Sequence, residues 1–246
     1  PAAEGAKEVE VICDEIESYN DTPSELIFDE FENILFRGHP LGHNILGQAD
    51  RLRSYRPEQL CRFARTHYTP ANMVFFACGQ LNFAQLVRMV ERRIDGGETG
   101  NGSRTAGSTE GEKRPWPVGQ AAATTTKMAK HTHQTHVMMG CRGLCATDER
   151  RTSLFVLNNI LGGPGMNARL NLALRERRAL VYTVESTMAC FSDTGLWATY
   201  FGCDPHDAEQ CMRLVRRESL ALAIMLLTIF VPAGLFAWYA GSVMIG

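Results

Sequence analysis

The stretch Glu8-Val9-Glu10-Val11-Ile12-Cys13-Asp14-Glu15-Ile16-Glu17-Ser18-Tyr19-Asn20-Asp21-Thr22-Pro23 reads as a helix stopped by an Asn-Asp-Thr-Pro turn. Glu8 and Glu15 stand seven positions apart. At about 3.6 residues per turn they share one helix face, separated by roughly 11 Å along the axis. Taken alone, such a pair is an ordinary solvated face. Its meaning depends on what surrounds it.

Outward from this helix the signals alternate. Residues 24–36 carry Leu26, Phe28, Phe31, Ile34 and Leu35 at helical spacing. Residues 56–67 repeat the design behind Pro57, with Leu60, Phe63 and Ala64 on one face. The apolar run 73–78, ended by Gly79, predicts a buried strand, and 83–94 predicts an amphipathic helix behind it. Residues 96–120, rich in Gly and Ser and closed by Pro115-Trp116-Pro117, read as a flexible linker between two similar halves. In the second half, strand signals cover 124–139, 180–190 and 196–203, and helix signals cover 151–161, 167–177 and 206–217. The pattern predicts an α+β fold of two layered domains.

Composition narrows the function. The formal net charge of −2, with charges interspersed, leaves no basic stripe, so nucleic acid is not an expected partner. Eight Cys without a C-x-x-C pair read as buried free thiols rather than a disulfide framework. From Ser219 onward the sequence carries no charge, and 220–239 is about the ~20 residues that cross a bilayer as a helix. Arg213, Arg216 and Arg217 just before it would leave the globular part in the cytoplasm, anchored to the inner membrane. The alternatives are a buried helix of the fold, or a fused or frameshifted reading frame.

Three further texts give the helix its context: Gly38-His39-Pro40-Leu41-Gly42-His43-Asn44-Ile45-Leu46-Gly47; Tyr68-Thr69-Pro70-Ala71-Asn72-Met73; and Leu161-Gly162-Gly163-Pro164-Gly165-Met166-Asn167-Ala168-Arg169-Leu170, followed by Leu174-Arg175-Glu176 and Leu180-Val181-Tyr182-Thr183-Val184. Together with the Glu8–Glu15 helix they resemble the zinc metallopeptidases of the M16 (pitrilysin and insulinase) family. The resemblance implies a clamshell of two related α/β-layer domains, here with residues 1–95 as an N-terminally truncated first domain, 96–120 as linker, 121–218 as second domain and 219–246 as a hydrophobic tail.

By the same resemblance Glu15 is a zinc ligand and Glu8 supports it, while Arg175 and Tyr182 reach the substrate carbonyl. A fixed guanidinium and a phenol suit that task, because both donate hydrogen bonds to developing negative charge. The family's H-x-x-E-H helix, which supplies two zinc ligands and the general base, does not occur in these residues. The resemblance therefore implies zinc in the complete protein and none retained by this chain, because one carboxylate is too few ligands. Two functions stay open: a zinc endopeptidase acting on unfolded peptides, present as an incomplete chain, or a noncatalytic scaffold subunit supporting an active M16 partner.

Two details complete the reading. The glycine usual before Leu-Val-Tyr is Ala179 here, which would alter the turn that presents Tyr182. His39 and His43 flank Pro40 and Gly42, which favours a loop over a ligand-bearing helix, and His131, His133 and His136 read as ordinary strand residues.

Overall fold

The computed structural model describes residues 2–95, 124–130, 132–229 and 241–245. The chain forms two compact units, one of residues 1–10 and 50–114, the other of residues 11–49 and 115–246. Helix α1 (Ala2–Asn20) runs through both stretches, ahead of α2 (Pro23–Leu35).

The second unit is built on a five-stranded sheet. Its strands are β1 (Thr125–Met128), β2 (Thr135–Gly143), β3 (Val181–Cys190), β4 (Gly195–Cys203) and β5 (Gly241–Ile245), in the order β1-β5-β2-β4-β3. All neighbours are antiparallel except β1 and β5. The expected single strand over 124–139 divides because β5 inserts between its two parts. The chain must cross from one side of β5 to the other.

Side chains alternate between the faces of the sheet, so successive residues enter different cores. Val137, Met139, Trp197 and Phe201 pack with Leu161, Leu170, Leu174, Leu214 and Val215. These come from α6 (Arg151–Gly162), from Leu170 and the π-helical turn that follows it at Asn171–Glu176, and from α7 (Ala208–Ile229). Met138, Ala198 and Tyr200 face the other way, onto Leu26, Ile27, Phe31 and Leu35 of α2. Arg142 on β2 donates from Nε to the Leu35 carbonyl at 3.2 Å and lies over the Phe36 ring, which closes the end of α2.

The first unit contains α3 (Ala49–Arg53) in part, α4 (Pro57–His67) and α5 (Phe83–Asp95). None of its described residues is buried. The expected buried strand over 73–78 is absent: Val74 is 96 % and Phe76 82 % exposed, in irregular backbone. A strand is stabilised by the ladder it joins, and no described strand lies within this unit. Cys61 and Cys78 are likewise exposed, whereas Cys13, Cys203 and Cys211 are buried as expected, and all eight are free thiols.

The tail also departs from expectation. α7 passes Glu218 without a break, burying Ser219, Leu222 and Ala223, and residues 241–245 return as β5. No helix among the described residues is long and apolar enough to cross a membrane. The uncharged run begins on a helix whose inner face belongs to the core, and it ends in the sheet. The remainder of the expected 220–239 span, residues 230–239, lies outside the described residues, as do the 96–120 linker and His131.

Candidate functional site

Glu8 and Glu15 lie on the exposed side of α1, whose opposite side buries Cys13 and Ile16. Neither acid has a hydrogen bond or ion pair among the described residues, unlike Glu10, which accepts two hydrogen bonds from Arg53 at 3.2 and 3.0 Å. Two open carboxylates on one helix face are available to a ligand. They are not by themselves a metal site.

Arg175 and Tyr182 are placed by an unusual connection. The π-helical turn is widened, with Arg177 N–H reaching back to the Leu172 carbonyl at 3.1 Å. Arg178 fixes the same turn through a hydrogen bond to the Ala173 carbonyl at 2.7 Å. Ala179 then adopts φ +49°, the left-handed conformation that favours glycine. This lets Leu180 N–H return to the Leu174 carbonyl at 2.9 Å and sends the chain into β3. Ala179 thus makes the turn that glycine makes more easily. A register irregularity at Tyr182 follows, between Val181 and Thr183.

The two side chains take different surroundings. Tyr182 donates its phenol to Asp204 Oδ1 at 2.9 Å, and that carboxylate holds the phenol's acidity weaker than an ordinary tyrosine's. Arg175 borders a groove of about 380 Å³ together with Asn159, Asn171, the Gly162-Gly163-Pro164 turn and β3. Tyr182 is not among the groove's lining residues. Among the described residues the Arg175 guanidinium makes no hydrogen bond or ion pair, while its backbone carbonyl accepts from Ala179 N–H at 2.8 Å.

A buried polar cluster, absent from the sequence reading, fixes the groove's wall. Asn158 of α6 donates to the Ser186 carbonyl at 2.9 Å, and its Oδ1 accepts from Ser186 Oγ at 2.7 Å and Trp197 Nε1 at 2.9 Å. A Cβ at Gly162 would meet Ser186 N at 2.7 Å, so glycine is what lets α6 approach β3 this closely. The available signal was Asn158 on the face that carries Leu154, Leu157 and Leu161. An amide there calls for a buried partner. The other residue not anticipated is Asp204. It sits with His206 and Asp207 before α7, their ligand atoms within 4.8 Å of one another.

The matching family model is described as the peptidase M16 inactive domain and covers residues 54–225. The chain belongs to the M16 peptidase family. Its M16 match runs past Glu218, where the second domain was expected to give way to a hydrophobic tail. Similar curated proteins include uncharacterized zinc proteases of Streptomyces coelicolor, 33 % identical over 84 % of this chain and 44 % of that protein, and of Bacillus subtilis, 30 % identical over 87 % and 49 %. The M16 chain thus spans about half the length of the curated relatives it matches. Among solved structures, an M16 inactive domain from Pseudomonas fluorescens matches 93 % of the chain and 52 % of its own, with TM-score 0.75 and 21 % identity. A Helicobacter pylori protease matches 94 % and 54 %, with TM-score 0.74 and 18 % identity.

The zinc expected of an M16 protease needs three protein ligands and a water. Glu15 belongs to no group of three potential ligands among the described residues, so the residues present do not fit the ion. The Asp204, His206 and Asp207 group stands ahead of a helix N-terminus, where the helix dipole favours anions over cations.

Proposed function

We propose that the complete protein is a zinc-dependent endopeptidase of unfolded peptides, and that this chain is the part that holds the peptide and contributes one acid to the metal. The observation that carries the reading is the pair Glu8 and Glu15, open and without partners on one face of α1, in a chain whose M16 relatives are named zinc proteases. In this reading Glu15 is the ligand and Glu8 supports it.

Arg175 and Tyr182 act on the peptide. Arg175 is unpaired and can donate to a carbonyl as negative charge develops on it. Tyr182 does the same once its phenol exchanges Asp204 for the substrate. A second reading, a noncatalytic subunit supporting an active partner, is favoured by the description of the matched family model as an inactive domain. The proteins of similar fold also include a chain of complex III from Candida albicans, with TM-score 0.68.

The coding region immediately before residue 1 separates the two. An in-frame His-x-x-Glu-His, with stoichiometric zinc and chelator-sensitive cleavage of an unstructured peptide by the extended protein, is the expected result. A degraded motif with no zinc and no cleavage would leave the supporting subunit.

A further inference from the structure

Strand alternation and helix periodicity bring two cysteines together in the second unit. On β4, Trp197, Phe201 and Cys203 enter the core shared with α6 and α7. The chain then turns at 204–207, where Asp207 N–H meets the Asp204 carbonyl at 3.0 Å, and α7 opens with Cys211 N–H on the Asp207 carbonyl at 2.9 Å. Ala208, Cys211, Val215 and Leu222 form an inner stripe of α7 and enter the same core. That stripe brings Cys211 to the end of β4, and the two thiols, both 0 % exposed, are hydrogen bonded to each other.

The pair is unequal. Cys203 S–H donates to the Cys211 sulfur, which pushes the Cys203 thiol's pKa up and draws that of Cys211 down, while burial and the Asp207 carboxylate oppose the fall at Cys211. Cys211 is therefore the thiol that ionises first, with Cys203 in place as its partner. A disulfide forms between cysteines whose side chains already meet. Cys13, the other buried thiol, contacts the Ala49 carbonyl at 3.9 Å instead.

We propose that Cys203 and Cys211 are a modification site, an oxidisable dithiol that closes to a reversible intramolecular disulfide when the protein meets hydrogen peroxide. The Cys211 thiolate attacks one peroxide oxygen and breaks the O–O bond, which leaves a sulfenic acid on Cys211 and releases hydroxide; this hydroxide takes up the proton that Cys211 gave away and becomes water. The Cys203 sulfur then attacks the Cys211 sulfur, the S–S bond forms, and the departing hydroxide leaves with the Cys203 proton as a second water. Two thiols are oxidised and one peroxide is reduced. Peroxide is little larger than water, and local opening of the turn that joins the cysteines, whose Pro205 and His206 are exposed, admits it. The new bond braces the segment that carries Asp204, the residue holding the Tyr182 phenol at 2.9 Å.

The test treats the full chain, below its unfolding temperature, with excess hydrogen peroxide, blocks the remaining thiols with iodoacetamide in denaturant, and cleaves with trypsin and a protease that cuts before Asp. Residues 193–203 and 207–213 then fall in separate peptides with one cysteine each. Mass spectrometry should recover them as one linked species, two hydrogens lighter than their sum and separated by dithiothreitol, with near-complete loss of free thiol at both positions. Cys13, equally buried, should keep its iodoacetamide label. In Cys203→Ser the reaction should stop at the Cys211 sulfenic acid, trapped by dimedone. Recovery of Cys203 and Cys211 as free thiols, their linkage to other cysteines, or oxidation of Cys13 at the same rate, which would mean reaction through the unfolded chain, overturns the proposal. The wild-type mapping decides the matter even if the variant fails to fold. The inference needs neither zinc nor peptide, so its failure leaves the peptidase reading where it was.

Discussion

Ala179 occupies a backbone position that an L-residue reaches at a cost of about 1–2 kcal/mol, its φ of +49° being the one positive value among the described non-glycine residues. Ala179→Gly should therefore stabilise the fold by about 1 kcal/mol after the extra freedom of the unfolded glycine is subtracted, read as a higher urea midpoint at constant slope. Asn158→Ala should act in the opposite sense, by about 2–4 kcal/mol, because it strands the Trp197 N–H and Ser186 hydroxyl in the core. His136, hydrogen bonded to the Tyr200 hydroxyl at 2.8 Å, has its pKa lowered from 6.5 by burial. The unfolded chain thus takes up the proton first, so this contribution to stability is complete above pH 6.5 and declines as pH falls below it. The difference in urea midpoint between wild type and His136→Gln should shrink on acidification. Asp29 and Glu32, whose pKa values are raised by burial, act with the opposite sign and cancel in that difference. At this scale the sequence was legible where a residue broke a local rule: Ala179 in a glycine's place marked this turn as unusual, although the turn forms, with Ala179 in the left-handed conformation, rather than being altered. The Tyr182–Asp204 hydrogen bond was not legible, since 22 positions separate the partners and nothing local demands the contact.

Elements with one strong period were readable in advance. α2, α4, α5 and α6 fall within a residue or two of their sequence signals, and β3 and β4 do as well. Where two interpretations of an apolar run competed, tertiary context decided. The run 73–78 has strand composition but no ladder to join. The run from Ser219 has bilayer composition, yet it starts on α7, whose Leu222 and Ala223 are inside the core. Truncation after Glu218, which a membrane anchor would make harmless to the fold, should instead destabilise the second unit, because it removes both buried side chains and the strand between β1 and β2. Limited proteolysis and a thermal melt check this: a truncated chain as resistant and as stable as the whole would show that α7's second half and β5 contribute nothing.

The whole molecule divides its properties unevenly. One unit has two cores packed against a sheet, while the other presents Phe63, Val74, Phe75, Phe76 and Phe83 to solvent and buries none of its described residues. The chain as it stands should bind no zinc tightly and cleave no peptide with zinc added, having one candidate ligand and no general base. Chelator-sensitive cleavage by the purified chain would overturn this. In a protein extended to carry His-x-x-Glu-His, Glu15→Gln should remove most of the zinc measured by atomic absorption. Tyr182→Phe should keep the metal and lower kcat by about 10²- to 10³-fold, the usual loss for a transition-state donor.

The sheet order carries a consequence for how the protein is made. β5 leaves the ribosome after every strand it pairs with, yet it lies between β1 and β2, joining Ser242 to Thr125 and Ile245 to His136. Until it arrives β1 has no neighbour to hold it, and β2 exposes one whole side of its backbone. Contacts between segments so distant along the chain are slow to form, and strands waiting for them are open to the wrong partners. The sheet of the second unit can therefore close only after its last described strand has been made.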